Sequence, residues 1–232
     1  MIKGIQMRNF IIVGHRAMTS PNFSLNDLPG TGGRMDILAR SVNSAFLLSH
    51  DIRREVEVVL VLQGPDNPTK TIRFYGAELK YLNPDERSTG ALIRNALMKF
   101  KAMKPIEKID TPSNETKTQL PKKPQNGFQP ETRSSPGIFI SNTKFEDVLT
   151  HYERTSKIVY LNETGSDLFA SDIIKEKGNL TFVLSDDKDF TADEDGFLKK
   201  IAEFELCLSP NILHSEHCIV LVHNILDRFK KD

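Results

Sequence analysis

The chain has 232 residues, and its 31 basic and 31 acidic side chains balance to a net charge of zero. This length can bury a substantial core without disulfides or metals, and it suits one large domain or two small ones. No stretch approaches the roughly 20 apolar residues of a membrane-spanning helix, and the first residues lack the apolar core of a signal peptide. Two cysteines cannot form a disulfide scaffold, so we expect a cytoplasmic protein without membrane contact.

The charge is unevenly distributed along the chain. Residues 1–136 hold 20 basic and 13 acidic side chains, whereas residues 137–232 hold 11 basic and 18 acidic ones. A basic half favours contact with phosphate groups. Chance segregation of solvated charges explains the same counts equally well.

The predicted elements alternate between strands and helices. In chain order the pattern predicts a strand at 9–13, a helix at 35–48, strands at 56–62, 71–74 and 79–82, a helix at 84–104, a strand at 138–140, a helix at 144–152, strands at 158–161, 180–184 and 205–208, and a helix at 215–229. Short, nearly continuous apolar strands between helices are typical of a parallel sheet covered on both faces. The sequence therefore predicts an α/β fold.

A proline-rich segment interrupts this alternation. Residues 101–136 hold half of the twelve prolines and few large apolar side chains. Such a segment buries too little apolar surface to offset its ordering entropy. We expect residues 111–135 to be a disordered or loosely attached linker, either inserted within one fold or separating two.

Ligands of open α/β sheets bind beyond the carboxyl ends of the strands. The loops to consider are therefore those at 14–33, 63–70, 162–165, 185–190 and 209–214. Residues 30–34, Gly-Thr-Gly-Gly-Arg, precede a predicted helix but match neither the P-loop nor the G-x-G-x-x-G pattern. A flexible turn is favoured, and a backbone contact to phosphate, made together with Arg34 and Arg40, is an intermediate possibility.

Two other clusters are weak as metal sites. His214, His217 and Cys218, with Cys207 and His223, do not have the paired spacing of a closed zinc site. Cys218 is expected to be a packing or pocket-lining residue, although a helix N-terminus can lower a thiol pKa and so leaves nucleophilic catalysis open. The acidic run at 186–195 lacks the spacing of a calcium loop, so a solvated loop and a helix N-terminus are favoured.

Several strings, taken together, resemble one family. They are FIIVGH at 10–15, DLPGTGGRMD at 27–36, VNSAFLLSHDIR at 42–53, LNPDERST at 82–89, FVLSD at 182–186 and ILHSEHCI at 212–219. This set, in this order, is similar to the archaeal tRNA pseudouridine-54 N1-methyltransferases of the SPOUT superfamily. The resemblance runs from Met7 to about Asp227 and is interrupted only by the proline-rich segment.

The resemblance carries expectations that composition and periodicity do not supply. It implies a single α/β domain over residues 1–232 with a C-terminal trefoil knot, in which the segment at 105–136 is a flexible insertion. It implies a homodimer, S-adenosylmethionine bound in the knot, and methyl transfer to N1 of pseudouridine in the T-arm loop of tRNA. No metal is expected.

The resemblance also implies a cofactor pocket built from strand-end loops. Its residues would be Leu161, Ser185, Leu208, Ser209, Pro210, Asn211, Ile212, Leu213 and Cys218. Glycine is common in the family at both Ser185 and Ser209, where serine adds a Cβ and a hydroxyl. We expect these differences to affect local loop geometry more than the capacity to bind.

Methylation at nitrogen requires alignment of the two reacting centres and loss of the N1 proton. Asp66 is the candidate proton acceptor, and a plain turn residue is the competing interpretation. Cys218 is a cofactor contact in this scheme, because attack on a base carbon is needed only for carbon methylation.

Arginine suits phosphate recognition through its fork geometry. The candidate RNA contacts are Arg34, Arg40 and Arg87, with Arg16 and Arg53 behind them. Asp36 is placed to orient Arg40 four residues later. Structural ion pairing is an equally good interpretation for Asp36, Arg40 and Arg87.

Two other functions remain open at the level of sequence. The same pocket would serve an enzyme that methylates pseudouridine in ribosomal RNA. A non-catalytic RNA-binding or assembly protein with a degenerate pocket is the alternative from a different class, and Ser209 and the long linker are its support.

Overall fold

The computed structural model describes residues 7–65, 68–102, 129–176 and 178–229. The strands are β1 (Arg8–Gly14), β2 (Val56–Leu62), β3 (Lys70–Tyr75), β4 (Thr132–Ser135), β5 (Ile138–Ser141), β6 (Lys157–Asp167), β7 (Leu180–Ser185) and β8 (Phe204–Cys207). The helices are α1 (Met35–Phe46), α2 (Glu86–Ala102), α3 (Phe145–Glu153), α4 (Ala192–Ile201) and α5 (Ser215–Phe229), and two short 3-10 helices follow β6.

All eight strands form one sheet in the order β4-β5-β3-β2-β1-β7-β6-β8. The strands β2, β1, β7, β6 and β8 are parallel to one another, whereas β3 is antiparallel to β2 and to β5, and β5 is antiparallel to β4. The expected α/β fold is confirmed, but the expectation of a wholly parallel sheet is wrong on this side. The loop between β2 and β3 spans only seven residues, 63–69, which is long enough for a hairpin and too short for a parallel crossover.

Two further predictions about elements differ from the structure. Residues 79–82 do not form a strand, because the turn after β3 buries Leu79 in the core and its carbonyl accepts a hydrogen bond from Arg54. Residues 132–135, assigned to the linker from sequence, form the edge strand β4. The rest of the predicted linker up to residue 128 lies outside the described residues.

The core lies on both faces of the sheet, as near-continuous apolar strands require. Along β1, Phe10 and Ile12 pack on one face beneath α1, α2 and α5, while Ile11 and Val13 pack on the other beneath α3 and α4. All four side chains are completely buried. Burying a large apolar side chain is worth about 1.5–3 kcal/mol, so this two-sided burial fixes β1 at the centre of the sheet.

The carboxyl ends of the five parallel strands meet at one edge of the sheet. The loop before α1 crosses this edge in a tight path, with Gly33 and Arg34 both at positive φ. A Cβ on Gly33 would lie 1.8 Å from the Arg16 carbonyl oxygen, so only glycine fits there. Among the described residues, no helix is long and apolar enough to cross a membrane.

Candidate active site

A cavity of about 280 Å³ opens at the carboxyl edge of β6, β7 and β8. The sequence-predicted cofactor residues that line it are Leu161, Ser185, Leu208, Ser209, Asn211, Ile212, Leu213 and Cys218. The structure thus brings eight of the nine together from three strand ends and the start of α5. Pro210 belongs to the same loop but does not line the cavity.

A local irregularity in β6 shapes one wall of this cavity. Leu161 and Ser166 both pair with Leu206, so residues 162–165 are left out of the ladder and form a bulge beside β8. Asn162 and Glu163 line the cavity from this bulge. The Asn162 amide is fixed by donating to the Glu205 carboxylate over 2.8 Å.

The sequence analysis did not single out every residue that lines the cavity. The missed residues are Asn162, Glu163, Leu184, Asp186, Asp189, Leu206, Cys207 and Ser215. Asn162 and Glu163 were recognisable only as members of a loop after a strand, and Asp186 and Asp189 were considered only as part of the acidic run at 186–195. Three of these side chains are carboxylates, and the described lining includes no lysine or arginine, so the cavity suits a ligand with a positively charged centre.

Short polar contacts hold the loops of the cavity together. The Ser215 hydroxyl at the start of α5 donates to the Ser185 carbonyl at the end of β7 over 2.5 Å. The Ser209 hydroxyl accepts a hydrogen bond from the Asn211 N–H over 3.1 Å, and the Cys207 thiol donates to the Ser209 carbonyl. The added hydroxyl of Ser209 therefore stabilises the turn on which Asn211 sits.

Cys218 is not prepared for nucleophilic attack. Burial, together with the nearby Glu216 carboxylate, raises the pKa of its thiol to about 11. The neutral thiol is a poor nucleophile, so the alternative in which the helix N-terminus activates this cysteine is not supported. Cys218 instead contributes a small apolar surface to the cavity.

The histidines that suggested zinc have other partners. The Arg8 guanidinium donates to Nδ1 of His223, and Nε2–H of His223 donates to the Ala45 carbonyl, each over 3.0 Å. The rings of His214 and His217 meet edge to face. The described residues contain no group of three histidine, cysteine or acidic side chains arranged to hold a metal.

An ion-paired histidine lies beside the cavity, and the sequence analysis did not identify it. His15, just after β1, donates from Nδ1 to Asp186 over 3.0 Å and from Nε2 to Glu194 over 3.1 Å. Burial by itself lowers the pKa of His15, but these two carboxylates raise it to about 9. The imidazole is therefore a cation at neutral pH.

The acidic run at 186–195 forms the loop and helix start that the sequence favoured. The Thr191 side chain caps α4 in a capping box with Glu194, and Asp193 and Asp195 complete the acidic first turn. Glu194 also accepts hydrogen bonds from His15 and from the Gln63 amide. Although burial by itself raises the pKa of Glu194, hydrogen bonds from His15, Thr191 and Gln63 lower it to about 2.

A second, more open cavity of about 480 Å³ lies at the ends of β1 and β2. Its lining comes from two loops, the one between β1 and α1 and the one between β2 and β3, and consists of His15, Arg16, Met18, Gly30, Thr31, Gly33, Gln63, Gly64 and Pro65. Asp66, the candidate proton acceptor, lies outside the described residues. Its described neighbours Gly64 and Pro65 belong to this lining.

The candidate RNA-binding arginines fall into two groups. Arg34 makes two hydrogen bonds to Asp36, and Arg40 bridges Asp36, Glu86 and Glu216 at 3.0, 3.2 and 2.7 Å. Asp36 thus orients Arg40 as expected, and Arg40 also has the structural pairing that was the competing interpretation.

Arg87 differs from Arg40, because it is exposed on α2 and has no ion-pair partner among the described residues. Arg53, held in reserve as an RNA contact, pairs instead with Asp227. Arg87 is therefore the most available of the three candidate arginines.

The fold and the first cavity together define a class of protein. A largely parallel α/β sheet with a concave site beyond the carboxyl ends of its strands is typical of proteins that bind a cofactor or nucleotide. The chain belongs to the family described as "Putative SAM-dependent RNA methyltransferase", whose model matches residues 7–231.

Relatives extend over nearly the whole chain. The tRNA (pseudouridine(54)-N(1))-methyltransferases of Methanococcoides burtonii and Haloferax volcanii are 39% and 43% identical to it over 223 and 221 residues. The alignments cover 96% and 95% of this chain, and 96% of each relative. The crystal structure of Nep1 from Archaeoglobus fulgidus, bound to S-adenosylhomocysteine, has a similar fold, with a TM-score of 0.55 at 12% identity over 98% of this chain and 99% of that one.

Proposed function

We propose that this protein is an S-adenosylmethionine-dependent methyltransferase that methylates N1 of the pseudouridine at position 54 of tRNA. The observation that carries the proposal is the identity of about 40%, over nearly the full length of both chains, with relatives that bear this name. The cavity at the ends of β6, β7 and β8 supports it, since the residues expected to hold the cofactor converge there.

The first cavity fits S-adenosylmethionine in charge and in surface. Leu161, Leu184, Leu206 and Leu213 supply apolar walls, which suit a purine ring. Asp186, Asp189 and Glu163 supply negative charge toward a sulfonium and an amino group. When bound, this cofactor supplies the electrophilic methyl group, and the loop at 208–213 with Cys218 would hold it.

The protein's chemical contribution is alignment and removal of one proton. N1 of pseudouridine carries a hydrogen, unlike the glycosidic N1 of uridine, so a carboxylate placed beside it can accept that proton. Asp66 remains our candidate, supported by its place in the chain after β2 and beside Gly64 and Pro65 of the second cavity. The neutral Cys218 thiol has no covalent role in this scheme.

The tRNA would be bound along the same edge of the sheet. We assign direct phosphate contacts to Arg34 and Arg87, and an organising role to Arg40, which holds α1 against α2 and α5 through Glu86 and Glu216. The target base sits in a folded loop, so it must be turned out of its stack to reach the cofactor.

We further propose a homodimer, with a C-terminal trefoil knot in each chain and with action in the cytoplasm, where tRNA is matured. In the C-terminal half of the chain, large apolar side chains that are half or more exposed support the dimer, because a subunit contact would remove them from water. They are Phe169, Ile212 and Val220.

A labelled methyl transfer assay tests the proposal. The purified protein is incubated with methyl-labelled S-adenosylmethionine and with tRNA transcripts carrying pseudouridine or uridine at position 54. We expect label only in the pseudouridine transcript. Transfer to a pseudouridine-containing ribosomal RNA helix instead would favour the ribosomal substrate, and failure to bind the cofactor would favour a non-catalytic RNA-binding protein.

A further inference from the structure

The two cavities at the sheet edge are adjacent, because a residue of each takes part in one ion pair. Asp186 lines the first cavity and His15 lines the second. The two side chains are joined over 3.0 Å, and the His15 backbone N–H also donates to Asp186 over 2.8 Å. A ligand in the second cavity therefore lies next to a ligand in the first, across the ends of the adjacent strands β1 and β7.

Arg16, which lines the second cavity, shares one carboxylate with Arg34. Arg16 and Arg34 both donate to Oδ2 of Asp187, in the latter case over 3.3 Å. All three side chains are partly exposed. A single anionic oxygen shared by two arginine forks is the arrangement that recognises a phosphate oxygen, so Asp187 occupies a position suited to a phosphate.

The floor of the cavity has the chemistry of a site for a planar polar ring. The Gln63 amide donates through Nε2 to the Glu194 carboxylate over 2.9 Å, which directs its Oε1 away from that carboxylate as an acceptor. Met18 adds an apolar, polarisable surface, and Gly33 and Gly64 let their loops pack directly on the backbone at Arg16. A pyrimidine ring offers N–H donors to such an acceptor and a flat face to the thioether.

We propose that the second cavity is the acceptor subsite, which holds the target pyrimidine while Arg16 and Arg34 bind the phosphate of the same nucleotide in place of Asp187. This inference rests on the proposed function and assigns a location to its substrate. Asp187 neutralises the two arginines until RNA arrives, and release of its carboxylate opens the phosphate position. The short bridge through His15 and Asp186 keeps the two subsites in register.

Nucleotide binding to the protein saturated with S-adenosylhomocysteine tests this assignment. Pseudouridine 5′-monophosphate, pseudouridine and inorganic phosphate are each titrated while the NMR signals of the Gly30, Gly33 and Gly64 amides and of the Gln63 side-chain amide are followed. We expect the monophosphate to shift these signals with at least tenfold higher affinity than pseudouridine or phosphate. Shifts confined to other parts of the protein would overturn the assignment.

Variants distinguish whether Arg16 and Arg34 bind a phosphate or only form a structural ion pair with Asp187. Arg16→Gln and Arg34→Gln are expected to weaken the monophosphate about tenfold and to leave pseudouridine binding unchanged. Arg133→Gln, in the exposed pair with Glu78, is the matched control and is expected to change neither. Asp187→Asn is expected to tighten the monophosphate several-fold, because it removes the competing anion; weaker binding would show that Asp187 only positions the arginines and would overturn the proposal.

The same preparations keep this inference distinguishable from the proposed function. Methylation of the pseudouridine-54 transcript by the wild-type protein is measured in parallel. If the transcript is methylated while the second cavity does not respond to the monophosphate, the subsite assignment is wrong and the proposed function stands. If the transcript is not methylated, the proposed function is wrong, and the titration still decides whether the cavity binds a nucleotide.

Discussion

His15 and Asp186 are joined by two hydrogen bonds, one from the His15 backbone N–H and one from its imidazole, and they lie 171 residues apart in the chain. The pair connects the end of β1 to the end of β7, two adjacent parallel strands in the interior of the sheet. Glu194 completes the contact from α4. Because both carboxylates face the imidazole, the protein holds a charged histidine between its two cavities.

This charged histidine stabilises the fold at neutral pH, and the stabilisation is lost at alkaline pH. The pKa of His15 is about 9 in the folded protein and 6.5 when free, so its contribution is complete below pH 6.5 and is lost as the pH rises through 9. We expect His15→Gln to lower Tm by a few degrees at pH 7, with a difference that shrinks by pH 10. Thermal unfolding between pH 6 and 10 measures it, with exposed His50→Gln as control. A pH-independent difference would contradict the assignment.

Cys218→Ala tests whether the thiol takes part in the reaction. Since burial raises the pKa of this thiol to about 11, we expect kcat to remain within about twofold and KM for S-adenosylmethionine to rise several-fold through lost packing. Steady-state kinetics with a pseudouridine-54 transcript separates the two parameters. A fall in kcat of several orders of magnitude would show that the thiol acts on the substrate.

Alkylation gives an independent check on the same residue. At pH 8 the Cys218 thiol is expected to react with iodoacetamide far more slowly than a free cysteine, because its thiolate is scarce. S-adenosylhomocysteine should slow the reaction further by filling the cavity. Peptide mass spectrometry follows Cys218 separately from Cys207, and fast, unprotected labelling would argue against both the burial and the cofactor contact.

Arg40 and Arg87 are expected to differ in what they stabilise. Arg40→Gln deprives the buried carboxylates of Asp36 and Glu216 of a cation, so we expect a loss of about 2 kcal/mol in the free energy of unfolding. Arg87→Gln should change this free energy by less than about 0.5 kcal/mol. Urea unfolding measures both values.

Arg87→Gln is also expected to affect RNA binding. Arg87→Gln should weaken tRNA binding at low salt and reduce the slope of log K against log salt by about one, as the loss of one phosphate contact predicts. Filter binding at several salt concentrations measures this slope. An unchanged slope with Arg87→Gln would remove this residue from the RNA surface.

The buried neutral imidazole of His223 makes the fold less stable at acidic pH. Burial, together with Arg53 and Arg8, lowers its pKa to about 3. Because the unfolded chain binds this proton and the folded chain does not, stability is lost as the pH falls below 6.5. Between pH 7 and pH 5 the residue should cost about 2 kcal/mol. Urea unfolding of His223→Gln should show a pH dependence smaller by this amount, and an equal dependence would contradict a buried neutral imidazole.

Much of the fold follows from local pattern. The run at Val56–Leu62 predicted β2 with its observed bounds, and the spacing of apolar residues after residue 35 predicted α1. The antiparallel direction of β3 was not predicted, although the short loop between the predicted strands at 56–62 and 71–74 favours a hairpin over a parallel crossover. Strand β4 was missed because a short polar segment becomes a strand only by pairing with β5.

The residues of the candidate site were likewise predictable only in part. Eight of the nine cofactor residues implied by resemblance line one cavity, since they lie in or just after strands or at a helix start and the strand ends meet at one edge. His15 was not identified as a functional residue, because its partners Asp186 and Glu194 lie 171 and 179 residues away. Arg40 was identified, but its contact with Glu216, 176 residues away, depends on the packing of α1 against α5.

The proposed function is tested most directly by identifying the methylated atom and its position in the tRNA. A tRNA transcript carrying pseudouridine at position 54 is reacted with the wild-type protein and S-adenosylmethionine, digested, and analysed by mass spectrometry as nucleosides and as T-arm fragments. We expect N1-methylpseudouridine at position 54 and at no other position. A methyl group on another atom or at another position, or cofactor binding without transfer to this transcript, would contradict the proposed function.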